Sequence, residues 1–440
     1  MTLKNLIKIF TDQGCDKIYV KTLSANDNSK NQVYLGGSFE VLNILPISSI
    51  VTEEAGDWTK ERFKASLKFS WIIDEGHLCP APNSQLILYP KYPEVRFSGF
   101  LKACENAPSE LMTQRLPGRL LFLSVNDNGI VLGHVVGPES QIVNEFETLK
   151  TNTVFGVFKV IEIIKKIDSK DKLLQELYRI YNLDWVVSKS LTRNGIVPCE
   201  APQCGGYTLE AELGITRNGF SEPDFLGWEV KNFGVTNFKN LNSSAVTLFT
   251  PEPTDGLYKT KGIEYFIKTY GYPDKNGRPD RMNFGGIHKI GIRHSVTNLE
   301  LKLVGVDEKT NKIRNTNGRI ALIDNKNNEA ASWSFASMLL HWNKKHNQAC
   351  YVPSLSNTTN GRKYKYGNIA IIGIGTDFQL FLDQMANGLI YYDPGIKLEG
   401  ISSTRPKSKK RSQFRIKSGN LKNLYRINEM INLNLYFDRK

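Results

Sequence analysis

Cysteine and histidine are both scarce in this sequence, at six each among 440 residues. Cys15, Cys79, Cys104, Cys199, Cys204 and Cys350 are scattered along a large chain, which argues against a disulfide framework and for reduced thiols. Only Cys199 and Cys204 stand close together. No second pair lies at zinc-ligand distance, so a structural zinc site is not expected there. No apolar run is long enough to span a bilayer, and the stretch "MTLKNLIKIFTDQG" has apolar residues at helical spacing interrupted by Lys4 and Lys8, unlike a secretory leader. The expectation is a soluble, cytoplasmic protein. The glycines of "IIGIGTDF" lack the third glycine of a dinucleotide fingerprint and read as a buried strand.

Acidic residues run short at one end. Residues 1–160 carry 16 Lys+Arg against 17 Asp+Glu, whereas residues 161–440 carry 41 against 27. The whole excess of positive charge, +13 for the chain, therefore belongs to the second part. Residues 401–440 hold 11 Lys+Arg and two acids, and the basic run there is interleaved with Phe414, Ile416, Leu421, Leu424 and Tyr425. A solvated tail has no need of those apolar residues, so the pattern predicts a folded edge presenting cations to a polyanion such as a phosphate backbone.

The length is best divided between two domains, and the character of the chain changes near residues 165–170. Before that point, "SFEVLNIL", "FKASLKFSWII", "SQLILY", "RLLFLSV" and "GIVLGHVV" read as short strands, with a hairpin at residues 126–129. A β-rich barrel or sandwich is expected over residues 1–165. After it, residues 168–440 mix helices, predicted at 170–182, in "YTLEAELG", in "SFASMLLHWNKKHNQ" and in "DFQLFLDQMANG", with strands at 225–233, in "KIGIRHSV" and in "NIAIIGIG". That mixture predicts an α/β domain.

The stretch "EPDFLGWEVK" carries the chemistry. As a strand it places Trp228 and Val230 on one face, Glu229 and Lys231 on the other. The Cα atoms of Glu229 and Lys231 are then about 6.6 Å apart, close enough for both side chains to approach one bound group. Carboxylates from Asp224 and Glu229 suit a hard divalent ion, and an ammonium from Lys231 suits a phosphate oxygen. Together they are the parts needed to hydrolyse a phosphodiester, a reaction that demands roughly 20 kcal/mol of barrier reduction. Glu210, on the short helix just upstream, either adds an oxygen to that site or is a surface glutamate.

The segment "GGYTLEAELGITRNGFSEPDFLGWEVKNFG" resembles the MvaI/BcnI family of restriction endonucleases, related to the mismatch-repair nickase MutH and built on the PD-(D/E)xK nuclease fold. The resemblance spans roughly residues 170–440, including "FASMLLHWNKKHNQACYVP", "MANGLIYYDPGIK" and "RSQFRIKSGNLKNLY". It implies Asp224, Glu229 and Lys231 as the catalytic set with Glu210 assisting, Asp224 and Glu229 as magnesium ligands, and cleavage of duplex DNA by a monomer. It also places Asp393, Arg411 and Arg415 in the base-reading region, since arginine pairs bidentately with guanine. Where the family carries an arginine soon after that aspartate, this chain has Lys397. His288 and His294 stand as either groove contacts or structural histidines.

The first part has a resemblance of its own. "IYVKTLSANDNSKNQVYLGG" is similar to the start of the effector-binding domain of EcoRII-type endonucleases, a DNA-binding pseudobarrel whose two arms clasp the major groove. By that likeness Lys21, Asn26, Asn28, Lys30 and Gln32 belong to one arm and Arg96, in "YPEVRFSG", to the other. The two likenesses imply a type II restriction endonuclease with two DNA-reading domains, cutting a short site of the CC-x-GG kind. They also imply a prokaryotic restriction–modification system that includes a cognate DNA methyltransferase. A MutH-like repair nickase and a non-catalytic DNA-binding regulator are the competing expectations.

Overall fold

The chain separates into two compact units, Met1–Asp168 and Ser169–Lys440, in a computed structural model. The structure describes residues 1–25, 31–56, 61–91, 94–149, 153–163, 169–217 and 224–438. Asn26, Asn28, Lys30, Tyr92, Asp168 and Pro223 lie outside the described residues. Among those that are described, no helix is long and apolar enough to cross a membrane.

The first unit is β-rich. Its larger sheet has seven strands, in the order Val154–Phe155, Phe158–Glu162, Lys17–Leu23, Arg119–Val125, Val131–Val136, Phe69–Ile72 and Leu78–Pro80. The hairpin expected at residues 126–129 joins Arg119–Val125 to Val131–Val136 in antiparallel register. Asn126 holds its turn, with the side-chain oxygen accepting from the backbone N–H groups of Asn128 and Ile130. A second, five-stranded sheet includes Val33–Gly36 paired with Glu94–Ser98, which sets Tyr34 opposite Arg96. The N-terminal stretch is the helix Leu3–Asp12, capped by Thr2, and it buries Leu3, Leu6 and Phe10 against Phe122, Leu132 and Phe146.

In the second unit the strand Glu229–Gly234 runs parallel to the long strand Gln348–Asn357, which also pairs with Lys363–Tyr366 and Ile369–Ile374. The helix Ser169–Asn182 packs Leu173, Leu174, Leu177 and Ile180 into a core shared with Trp228, Val230, Val352 and Ile372. The helices Phe335–His346 and Phe378–Ala386 fall where their periodicity places them. A three-stranded sheet, Ala245–Phe249, Phe414–Lys417 and Ile390–Tyr392, folds the basic end into the unit. Phe414, Ile416, Leu421, Leu424 and Tyr425 are all buried there.

Four expectations need correcting. The run "SFEVLNIL", read as a strand, forms the 3-10 helix Phe39–Asn43, with the Ser38 side chain accepting from the Glu40 N–H at its start. The segment 289–296 is not a strand: it carries isolated bridges at Ile290 and Arg293 only, because Gly291 adopts a left-handed φ of 70° and breaks the extended run. The strand expected from residue 225 begins at Glu229. Leu226 and Gly227, both at positive φ, make a tight turn closed by paired backbone hydrogen bonds between Phe225 and Trp228. Nor are all six cysteines reduced, since Cys199 and Cys204 are joined as a disulfide. The turn leading into the helix Cys204–Glu212 brings their Cα atoms to 5.8 Å, a proximity that composition does not reveal.

Candidate active site

The Phe225–Trp228 turn explains the spacing between Asp224 and Glu229. By reversing the chain it returns the Asp224 carboxylate to the strand, where Oδ2 accepts from the Val230 N–H at 3.1 Å. Trp228 and Val230 anchor the other face in the core. Gly205 lets the helix Cys204–Glu212 press against this strand, since a Cβ there would stand 2.5 Å from the Asn232 side-chain oxygen. Leu209 is buried on that helix, and Glu210 beside it faces the same cleft as Asp224, Glu229 and Lys231.

The cleft measures about 1110 Å³. At its floor Glu229 is only 2% exposed. Its Oε1 accepts from Lys231 Nζ at 2.7 Å and lies 3.6 Å from Lys345 Nζ, while its Oε2 is buried with no hydrogen-bond partner among the described residues. Burial works to raise the Glu229 carboxyl, but Lys231 and Lys345 outweigh it and hold the group below its ordinary value. Lys231 is the mirror case: burial disfavours its charge, Glu229 restores it, and the ammonium ends above its usual range. Burial and the neighbouring Glu229 push Asp224 up to about 6. Burial and Asp224 push Glu210 up to about 7. Opposed shifts among neighbouring carboxyls in a cleft are a feature of functional sites.

A family model, that of the MvaI/BcnI restriction endonuclease family, matches residues 174–425, more than half of the chain. The chain belongs to the MvaI/BcnI restriction endonuclease family. It is accordingly a nuclease of the type II restriction class, acting on DNA. Two solved structures of the restriction endonuclease MvaI, one a complex with its cognate DNA substrate and one without DNA, are similar to 60% of this chain at 20% identity. They are covered over 98% and 97% of their own length, with TM-scores of 0.44 and 0.33. No curated protein matches the sequence.

The family match lies within the second unit, and so do the expected base readers. Arg411 and Arg415 both line the cleft. Arg415 is braced, its Nη1 donating to Asp393 Oδ2 at 2.7 Å and its Nη2 to the Ala245 carbonyl at 2.9 Å. Asp393 thus holds a cation in place. Beside them Gln413 accepts from Thr247 Oγ1 at 3.3 Å, and both residues line the cleft without having been singled out from sequence. His294 is occupied elsewhere: it stacks on buried His288 at 4.5 Å and its Nδ1 accepts from the Thr297 N–H. His288 is bonded to Thr297 Oγ1 at 2.8 Å, and burial, then His294, pushes it down to about 4. The pair's stacking and its bonds to Thr297 lie within the loop that carries it.

His341 and Lys345 were also missed. They lie four residues apart on the helix Phe335–His346 and line the cleft together, while Met338, Leu339 and Trp342 are buried. The helical period thus carried a signal for them. His346, next in sequence, is buried and bonded to Tyr425 and the Leu248 carbonyl.

In the first unit Lys21, Gln32 and Arg96 line one cleft of about 530 Å³. Arg96 donates to Glu94 and to Gln32 Oε1, and Lys21 lies over the exposed Tyr34 ring, 5.7 Å from its centroid.

Proposed function

We propose that the second unit hydrolyses phosphodiester bonds of double-stranded DNA at a short specific site, of the CC-x-GG kind, using magnesium held by Asp224 and Glu229. One observation carries the reading. A carboxylate as buried as Glu229, with one oxygen engaged by lysines and the other without a hydrogen-bond partner among the described residues, is costly unless a cation completes it. Among the described residues no three His, Cys, Asp or Glu side chains converge to cage an ion. Magnesium fits such a place, because it is usually held by one or two carboxylates and keeps water and phosphate oxygens as its other ligands.

When bound, the ion supplies Lewis-acid polarisation of the phosphate and lowers the pKa of water. The protein's own groups do the rest. Lys231, kept protonated by Glu229, meets the charge that grows on the phosphate as water attacks. Glu210, poised near neutrality, accepts a proton from water in the cleft. One P–O bond forms from water, one ester P–O bond breaks, and the leaving alkoxide takes up a proton. Arg411 and Arg415, the latter oriented by Asp393, read base edges.

The first unit is a DNA-reading pseudobarrel that uses Lys21, Gln32 and Arg96, and the enzyme works as a monomer in a prokaryotic cytoplasm, its host protected by a cognate methyltransferase. The test is to digest phage or plasmid DNA with the purified chain, with magnesium and with EDTA, and to sequence the ends. Discrete ends sharing one short sequence, absent in EDTA, are expected. Random ends, nicks in one strand only, or no cleavage would refute the reading.

A further inference from the structure

The mechanism above leaves Lys345 without a task. It reaches the cleft from the helix Phe335–His346, far from the Glu229–Gly234 strand in sequence, and brings a second ammonium to the one Glu229 oxygen that Lys231 already bonds. At 3.6 Å from Oε1 its Nζ makes an ion pair but not a hydrogen bond. Two ammonium groups crowded on one carboxylate oxygen repel each other, and a structural role for Glu229 would need only the nearer. The side chain of Lys345 is 25% exposed, against 18% for Lys231, so it is the cation more open to an incoming group.

The charge balance points the same way, and here the inference rests on the active-site reading given above. Lys231 and Lys345 face three carboxylates, Glu210, Asp224 and Glu229. With all five ionised the group is negative by one charge; a divalent ion makes it positive by one, and a single phosphodiester anion then neutralises it. Without Lys345 the four remaining groups and the ion would sum to zero before the phosphate enters. We propose that Lys345 is a second phosphate-contacting catalytic residue, its ammonium donating to a non-bridging oxygen of the scissile phosphodiester and stabilising the charge that develops there.

The test uses the full chain and a cognate duplex whose scissile phosphate, mapped from the cleavage ends, is either normal or replaced by a neutral methylphosphonate. Affinity is measured in calcium, and single-turnover cleavage of the normal duplex in magnesium. For wild type, the neutral group should weaken binding several-fold. Lys345→Met keeps the aliphatic stem. It should bind the methylphosphonate duplex as wild type does, lose the preference for the charged one, and cleave about 100-fold more slowly, the scale expected when one oxyanion donor is removed. Lys345→Arg should restore the preference and most of the rate. If Lys345→Met cleaves normally, or keeps the wild-type preference for the charged phosphate, the proposal is overturned. Asp224→Ala separates this failure from a wider one: were that variant to cleave at the wild-type rate, the active-site reading itself would be wrong.

Discussion

The two clefts of this chain hold similar side chains in opposite states. In the first unit the two arginines of the cleft are settled: Arg96 is paired with Glu94 and Gln32, and Arg119 is spent on the carbonyls of Leu111, Leu116 and Ser24. In the cleft of the second unit the charges are not. Glu229 has a buried oxygen with no hydrogen-bond partner among the described residues, and two neighbouring carboxyls are held well above their ordinary range. A surface that only recognises can satisfy its polar groups beforehand and exchange them for those of the ligand. A reaction centre keeps unsatisfied charge because the missing partners arrive with ion and substrate.

The sharpest way to break this contrast is to remove the unsatisfied groups. Asp224→Ala and Lys231→Ala should each lower cleavage by about a thousandfold or more, in line with the loss of metal-ion or oxyanion stabilisation. Specific binding in calcium, measured by gel shift, should survive in both. Near-normal cleavage by either variant would place the reaction elsewhere.

Next in size is the proposed base-reading edge. Arg415→Ala should cost about 1–3 kcal/mol of specific binding and relax the preference at one base pair. Asp393→Asn should reproduce part of that loss, since Asp393 orients the guanidinium. Arg411, which also lines the cleft, is exposed, and Arg411→Ala should weaken specific binding by less. Competition binding against single-base variants of the site measures all three. An unchanged profile for Arg415→Ala would return it to a structural ion pair.

A smaller effect concerns stability. Glu210 titrates at about 7 in the folded protein against roughly 4.3 unfolded, so the folded state binds the extra proton between those values. Stability from this group is therefore lost as pH rises from about 4 to about 7. Glu210→Gln removes that loss. In EDTA it should melt higher than wild type at pH 8, by roughly 1–3 kcal/mol, with the advantage fading by pH 4. An advantage that did not depend on pH would point to packing instead.

Much of this architecture was legible because periodicity is a local property. The helices Ser169–Asn182 and Phe378–Ala386 and the strand Ile369–Ile374 follow from it directly. The segment 289–296 shows its limit: Ile290 and Ile292 alternate like a strand, yet Ile292 is 58% exposed and Gly291 turns the chain. The Asp224, Glu229 and Lys231 set could be read because one strand and one turn bring it together. Thr247 could not, for it comes from another element and meets the site only through tertiary packing; for Lys345 the helical period marked the face it occupies but not the cleft it meets. Leu226 hid the turn as well, since a leucine at positive φ is unusual where asparagine or glycine is expected.

The smallest expected effect lies in the first unit, and it tests whether the two clefts are as different as their charges imply. Lys21 and Arg96 line the first cleft with Gln32 and Tyr34, and Tyr34 and Arg96 stand opposite each other on paired strands. Residues 1–160 carry no positive excess, so affinity for a polyanion must come from these few local cations. If the cleft holds DNA as a tether, Lys21→Ala with Arg96→Ala should weaken binding several-fold at moderate salt and lower the salt dependence by about one unit per lost phosphate contact. The target sequence and the single-turnover rate at saturating enzyme should stay as they are, because the proposed reacting groups belong to the other unit. A change of target would mean that this cleft reads the cleaved site itself. A faster reaction on one-site DNA would make it an inhibitory sensor, and one-site and two-site plasmids compared in the same buffer would separate the two.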